Sequence, residues 1–501
     1  MKQCIIVFTK KGEYMKKINK INCITFIIIF AITLIVFYNF ISMHYATDTY
    51  NIINRGYTDY ALKYSLNDGR PVMCLISLLA DFINLPIETY IITLTVIALA
   101  ISCVTVIKLK NIFINFCEDK NLKNEIILLI ISYVTIFNFA YLENMYFAEC
   151  AVMALSILLY TIAANIFANS EKYRYLKSIG LIILAVLCYQ GTVSYFIGLV
   201  FVLTLIKNNG IDKKIFKDVF ISGIIIVIGV LINLLQIKIS GLFLDMTQSR
   251  MGSLANIFDN LQYICNNIIN ILINTFNLFP KYLLLIYFAV ILGVSLIGKE
   301  NQKKSINVLL IIILCIVVTY IPNLLTKAAF GTGRMAFSIG ASAGLSLIYI
   351  WSTYKKNSSL KILIIIVAIT YLIITIGNYV YIMSEHKKVN EQDKEESLEI
   401  GKLIKDYEET NKTEIKNICF LYDKEARIWH DNITCKTSIC YRAIYPEWSR
   451  TGLINYYNNR NFIELENAKG KYYQVKEDEG QKVFNENELM FENDTVYIYV
   501  N

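Results

Sequence analysis

Proline is scarce in this chain, with 5 among 501 residues, and histidine is scarcer still at 3. His44, His386 and His430 stand far apart and form no HExxH pair, so histidine-based metal or triad chemistry has little to work with. The 12 cysteines offer neither a CxxC pair nor a Cys/His cluster. Cys23, Cys103, Cys188 and Cys315 sit inside apolar runs as small hydrophobes, which sets a zinc site aside. Walker and Rossmann glycine patterns are absent too, so no nucleotide fold is expected. Charge is thin, at 18% of residues against roughly a quarter in a soluble domain.

Apolar sequence takes the place of charge. Hydrophobic residues make up 55% of the chain and mean hydropathy is +0.48, concentrated in unbroken runs of bilayer length. An ordinary soluble enzyme is excluded, and an all-α polytopic membrane protein is expected. The net charge of +8 needs no nucleic acid to explain it, because the basic residues lie in short loops and form no stripe interleaved with aromatics.

Residues 1–20 are lysine-rich and precede an apolar run at 21–41. That run is longer than the roughly 7–15 residues of a signal-peptide core and no small-x-small cleavage site follows, so it reads as a retained first span behind a cytoplasmic N-terminus. Further runs fall at about 87–107, 125–141, 149–168, 178–190, 191–206, 218–237, 281–297, 306–321, 336–353 and 362–383, making about eleven spans. The two runs meeting at Tyr189-Gln190-Gly191 are short; two crossings and one buried hairpin are the alternatives, and loop charges favour two. With the N-terminus inside, the even-numbered connections should be basic. They carry Lys108, Lys110, Lys120 and Lys123; Lys172, Arg174 and Lys177; Lys207, Lys213, Lys214 and Lys217; Lys299, Lys303 and Lys304; Lys355, Lys356 and Lys361. Segments 71–86 and 258–279 are apolar but interrupted by Asp81, Asp259 and several asparagines, and read as helices lying at the outer interface.

Composition changes after Tyr381. Lys and Glu crowd 385–415, and the remainder has the punctuation of a soluble module. Ile400, Leu403, Ile404 and Tyr407 have helical spacing, while Ile418 to Tyr422 and Thr495 to Val500 read as strands. The expected organisation is a basic N-terminus (1–20), a multispanning domain (21–383) and a small extracytoplasmic α/β or α+β domain (384–501). Cys435 and Cys440 form either a disulfide or a pair of buried thiols there.

Polar residues that topology does not require cluster on the predicted outer side. Asp48 follows the first span closely, at the depth where a carboxylate could take a proton from an acceptor hydroxyl; the alternative is an acid that only caps the next helix. Asp59 and the turn Asp68-Gly69-Arg70-Pro71 follow in the same loop. Asp, Gly and Pro serve the turn itself, which leaves Arg70 over. Arg70 and Arg334 can fork onto phosphate and Lys327 adds a point charge, with Gly69, Gly331 and Gly333 letting backbone approach a ligand. Glu143, Glu149 and Gln190 complete the set. On one helix, Glu143 and Glu149 would face different ways, so a metal clamp from that pair alone is not expected.

Asp48-Thr49-Tyr50, Gly56-Tyr57, Tyr60-Ala61 and Asp68-Gly69-Arg70-Pro71, in this order, resemble the first external loop of the bacterial O-antigen glucosyltransferases of the Gtr type II kind. Leu142-Glu143-Asn144-Met145-Tyr146, the Tyr189-Gln190 turn and Gly333-Arg334 are similar to later segments of that family. The likeness covers about residues 20–380. It implies a GT-C-like enzyme of the bacterial cytoplasmic membrane that moves a sugar, glucose in the named family, from a polyprenyl-phosphate donor to a lipid-linked or surface polysaccharide on the outer face. Its essential acids fall on Asp48 and Glu143 here. Thr47-Asp48-Thr49 replaces two adjacent carboxylates, which argues for no metal, with Mg²⁺ assistance as the alternative. A polysaccharide polymerase or ligase and a lipid-linked oligosaccharide flippase are the rival readings. A transporter would place Gly/Pro breaks and charges in mid-span, which are largely missing.

Overall fold

The structure is a computed structural model that describes residues 21–42, 44–117, 119–169, 172–244, 254–297, 302–327, 329, 331–353, 358–422, 427–465 and 489–500. Residues 1–20, Asp245, Arg250, Lys299, Lys355 and Lys356 lie outside the described residues. Each apolar run coincides with helix. Among the described residues, seven helices are long and apolar enough to cross a membrane: Ile87–Ile114, Cys150–Asn169, Gln190–Lys207, Lys213–Leu244, Gln302–Leu324, Gly333–Thr353 and Leu360–Asn411. The first run breaks at Phe37, giving Ile21–Val36 and then Tyr38–Ser42. Leu122–Ile136 and Arg174–Cys188 have 15 residues each and Leu283–Leu296 has 14, short of the ~20 that a crossing takes. The expected eleven spans are thus seven full-length helices and four shorter or broken ones. An odd count therefore does not fix the side on which the C-terminal module lies.

The bundle has two chemically different ends. At one, the basic connections touch each other's helices: Arg174 Nη2 lies 3.4 Å from Asp218 Oδ1, Lys207 Nζ donates to the Ala168 carbonyl at 2.8 Å, and Lys304 Nζ to the Thr353 carbonyl at 2.9 Å. The other end gathers the 44–70 loop, the Tyr141–Tyr146 helix, the 189–192 turn and the 321–336 segment. Between them, helices such as Lys213–Leu244 leave large apolar side chains exposed, among them Leu231, Leu235 and Leu242, the surface that lipid would cover. Pro71–Phe82 and Ile257–Asn274, the expected interfacial helices, likewise expose Leu75, Leu79, Phe82, Phe258 and Ile269.

The change of composition near residue 383 falls inside one helix. Ser358–Asn411 runs for 54 residues, about 80 Å, apolar in its first half and Lys/Glu-rich in its second. Its Lys/Glu-rich second half buries Ile400 and Ile404 against the C-terminal module. There, β1 (Asn417–Tyr422), β2 (Ile463–Glu464), β3 (Leu489–Glu492) and β4 (Thr495–Val500) form one sheet in the order β2-β1-β4-β3. β1 pairs parallel with β2 and β4, and β3 antiparallel with β4. Cys435 and Cys440 are separate buried thiols.

The module is docked on the site end of the bundle. Asn390 on the long helix exchanges two hydrogen bonds with the backbone of Tyr45, at 2.8 and 3.0 Å. Its Arg450–Asn458 helix lies against Thr47–Arg55, with Gly452 pressed on the Tyr50 carbonyl so closely that any Cβ would overlap it. Tyr45 and Tyr50 meet Tyr456 and Tyr457 hydroxyl to hydroxyl, at 3.0 and 3.3 Å.

Candidate functional site

The site is built around the 68–71 turn. Gly69 has φ +78, a left-handed conformation that a side chain resists, and a Cβ there would stand 2.6 Å from Asn233 Oδ1. Arg70 N–H closes the turn on the Ser65 carbonyl at 2.8 Å, and Pro71 opens the next helix where its missing N–H costs nothing. Amides from two other helices pin it: Gln190 Nε2 donates to the Asp68 carbonyl at 3.0 Å and Asn233 Nδ2 to the Gly69 carbonyl at 2.6 Å. The turn therefore holds Arg70 at a fixed place against the bundle.

Arg70 is 7% exposed. Nη1 lies 3.1 Å from Glu149 Oε1 and Nη2 3.8 Å from Asp68 Oδ2, while the guanidinium sits 5.4 Å over the Tyr189 ring. Burial works against its charge, but Glu149 and Asp68 more than offset that and hold its pKa above the ordinary value. Tyr60 O–H donates to the same Glu149 oxygen at 3.1 Å.

Arg334 lines the same cavity as Arg70 and is near enough to feel its charge. Its guanidinium lies 4.1 Å over the Phe147 ring, and it makes no carboxylate ion pair among the described residues. Beneath it, Glu143 is 2% exposed and faces the backbone N–H groups of Gly333 and Arg334. Gly333 has to be glycine for that approach, since a Cβ would strike Glu143 Oε2 and Leu278. Burial raises the Glu143 pKa; the Arg334 charge and the two N–H groups only partly offset it.

Arg70 and Arg334 line one cavity of about 100 Å³, with Asp68, Tyr189 and Gln190 on the same rim. Lys213–Leu244 adds Val230, Leu234 and Ile237 beside Asn233, and the 321–336 segment adds Pro322, Asn323 and Thr326. Asp48, in the first turn of Thr47–Arg55, is within electrostatic reach of Arg334 and of Tyr60. Two cations beside the apolar side chains Val230, Leu234 and Ile237 make a place for an anion attached to a greasy group.

The structure thus brings together Asp68, Arg70, Glu149, Gln190, Arg334 and Glu143, with Asp48 at the margin. It leaves two predicted residues apart. Asp59 belongs to a helix-surface ladder with Arg55, 3.5 Å away, and Lys63. Lys327 is exposed and does not line the cavity; its carbonyl accepts from Asn256 Nδ2 at 3.1 Å. Glu143 and Glu149 sit on either side of a break, in Tyr141–Tyr146 and just ahead of Cys150–Asn169, and reach different arginines. Sequence reasoning missed Tyr60 and Asn233. Asn233 carried a signal: it is a polar residue inside an apolar span.

At the cavity, Glu149 Oε1 is held by Arg70 and Tyr60, while Oε2 of Glu149 and Oε2 of Glu143 are buried without a hydrogen-bond partner among the described residues. The one described group with metal-ligand spacing, Asp393, Glu396 and His430, lies in the C-terminal module. Its atoms already hydrogen-bond protein: His430 Nε2 to Asp393 at 2.8 Å, Ala443 N–H to Asp393 at 2.8 Å and Arg442 to Glu396 at 2.5 Å.

Fold and site together define a helical membrane protein with a buried cationic cavity at one end of its bundle. Residues 37–350, more than half of the chain, match the family model described as glucosyl transferase GtrII. The chain belongs to this family and is a glucosyltransferase. No curated protein matches it. Every residue of the cavity lies inside the matched segment, whereas the second half of the long helix and the sheet module lie beyond it.

Proposed function

We propose that the protein moves glucose from a polyprenyl-phosphate donor to a lipid-linked or surface polysaccharide on the outer face of a bacterial cytoplasmic membrane. The observation that carries this is that Arg70 and Arg334 line one cavity together with the apolar side chains Val230, Leu234 and Ile237. A phosphate between the arginines would leave its prenyl chain against Val230, Leu234 and Ile237. The outer face follows from loop charge: the basic connections gather at the opposite end.

In this reading the acceptor hydroxyl gives its proton to Asp48 as its oxygen attacks C1 of the sugar. The bond from C1 to the phosphate oxygen breaks, and its electron pair leaves with polyprenyl phosphate. Arg334 meets the charge growing on that phosphate, and Arg70, half neutralised by Glu149, fixes its orientation. A single displacement inverts the anomeric centre. Glu143 is the second acid of the site; its buried carboxyl holds the Gly333-Arg334 backbone, and it takes the base role should Asp48 prove dispensable. Membership of a glucosyl transferase family favours transfer over the polymerase and flippase readings.

Transfer of labelled glucose from synthetic polyprenyl-phosphate-glucose to a lipid-linked acceptor in proteoliposomes tests the reading. Turnover by the wild type that is lost in Asp48→Asn with the fold intact supports it. No transfer from any polyprenyl-phosphate sugar, or a product with retained configuration, overturns it.

A further inference from the structure

The C-terminal module holds a second polar cleft, about 260 Å³ in volume, outside the segment that matches the family. It lies between the second half of the long helix and the end of Arg450–Asn458, and Gly401, Lys402, Lys405, Asn458, Arg460 and Phe462 line it. Among the described residues the lining contains three cations and no carboxylate.

We propose that this cleft binds a phosphate- or carboxylate-bearing segment of the acceptor glycan. The term acceptor rests on the transferase reading above; the anion chemistry does not. Lys402 is exposed and makes no ion pair with a carboxylate among the described residues. Lys405 reaches Glu409 at 3.8 Å, but both side chains are more than two-thirds exposed, at 69% and 68%, and solvent screens such a pair strongly. An incoming anion has little to displace at either lysine. Arg460 is fixed by Glu408 and lies 5.6 Å over Phe462, so it frames the cleft.

The frame is rigid. Asn459, at φ +50, ends the helix in a left-handed turn that brings Arg460 back toward it. Asn455 then clamps Phe462 through both backbone groups, donating to its carbonyl at 3.1 Å and accepting its N–H at 2.8 Å. On the long helix, Gly401 lets Asn458 approach so closely that any Cβ would overlap its amide, and Asn458 Nδ2 is anchored on the Ser397 carbonyl at 2.9 Å. A mid-helix glycine costs about 1 kcal/mol relative to alanine, and here that close approach accounts for it.

Distance selects the ligand. Lys402 lies 19 residues beyond Met383, where the apolar stretch ends, which is about 28 Å along the helix axis. Even a tilt of about 40° leaves roughly 21 Å of height, beyond the ~5–8 Å depth of a headgroup layer. A lipid phosphate of the same membrane does not reach the cleft. A glycan chain leaving the catalytic end does, because the module sits on the helix that carries Asp48.

The full-length protein in detergent is titrated with an oligomer of glycerol phosphate, a uronate-containing oligosaccharide, neutral dextran, inorganic phosphate and oligoglutamate. The wild type is expected to bind at least one anionic oligomer, salt-sensitively and at least tenfold more tightly than dextran or inorganic phosphate. Lys402→Ser/Lys405→Ser, which changes only exposed side chains, should weaken that binding at least tenfold, whereas the charge-matched control Lys387→Ser/Lys412→Ser should not. Equal binding by wild type and variant overturns the proposal, and so does inorganic phosphate binding as tightly as the oligomers. Oligoglutamate binding best would indicate an acidic protein partner and overturn it as well. If glucose transfer fails while this binding pattern holds, the transferase reading falls and the anion cleft stands.

Discussion

Arg70 Nη1 and the Tyr60 hydroxyl both reach the same oxygen, Oε1 of Glu149, each at 3.1 Å. One buried carboxylate therefore holds both Tyr60, at the end of the short helix Tyr57–Tyr60, and the arginine that the turn presents. Removing Glu149 would leave a buried guanidinium facing only Asp68, 3.8 Å away. Breaking a buried pair in this way costs about 3–5 kcal/mol. Glu149→Ala should lower the thermal unfolding temperature in detergent by many degrees, and Glu149→Gln, which keeps one acceptor oxygen for Arg70 Nη1 and the Tyr60 hydroxyl but not the charge, by less. Equal losses in the two variants would show that the charge matters more than the bonds.

Arg334 and Arg70 should separate in their effects. Arg334 lies over the Phe147 ring and makes no carboxylate contact among the described residues as close as the one that ties Arg70 to Glu149, so less of the fold hangs on it, although its charge acts on the buried Glu143. Arg334→Ala should leave stability within about 1 kcal/mol and reduce glucose transfer by about 10²–10³, the usual loss when a donor to developing negative charge is removed. Arg70→Ala should lower both, because it also strands Glu149. Transfer rates and melting curves on the two variants decide this. An Arg334→Ala protein that transfers normally would remove the cavity from the mechanism.

Glu143 gives the site a pH signature. Burial first, against the opposing pull of Arg334 and two N–H groups, places its folded-state pKa above the ordinary 4.5. The fold then favours the protonated form. That contribution to stability is complete below 4.5 and is lost as pH rises through the raised value. Wild-type stability relative to Glu143→Gln should therefore fall as pH rises from about 4 to 8, since the amide cannot ionise. Melting curves across that range check the sign; a wild type that gains on the variant with rising pH would mean that Arg334 and the N–H groups outweigh burial.

Much of this was legible in the sequence because bilayer-length apolar runs and loop charge are one-dimensional signals. Asp68-Gly69-Arg70-Pro71 announced a turn with an arginine to spare, and the structure uses each residue in that way. Span lengths were less legible: Leu122–Ile136 and Arg174–Cys188 stop where Phe137 and Tyr189 leave the helical conformation for tertiary contacts. Tyr189 breaks its helix and faces Arg70, a partner 119 positions earlier in the chain. Asp59 and Lys327 had the right chemistry at the right end but the wrong direction, because Asp59 is satisfied by Arg55 and Lys63 on its own helical stretch. Side-chain direction of this kind depends on which neighbours are already within reach, and loop sequence does not encode that.

Gly333 is where local and distant constraints meet most tightly. Its missing side chain lets Glu143 approach the Gly333 and Arg334 N–H groups, and Leu278 closes over the same point. Gly333→Ala would put a methyl group on both neighbours, one of them a buried carboxylate with nowhere to go. Overpacking of a tight core typically costs about 1–3 kcal/mol. Because the strain sits one residue from Arg334, the variant should lose activity out of proportion to stability, with the KM for the polyprenyl-phosphate donor rising as the guanidinium is displaced. Gly331→Ala, two residues earlier in the same loop and with its Cβ 3.2 Å from the edge of the Phe276 ring, is the comparison. It should be milder, because a ring edge can yield by a few tenths of an ångström. If Gly333→Ala transfers glucose with an unchanged donor KM, Glu143 does not position Arg334 and its role must be sought in direct contact with the sugar.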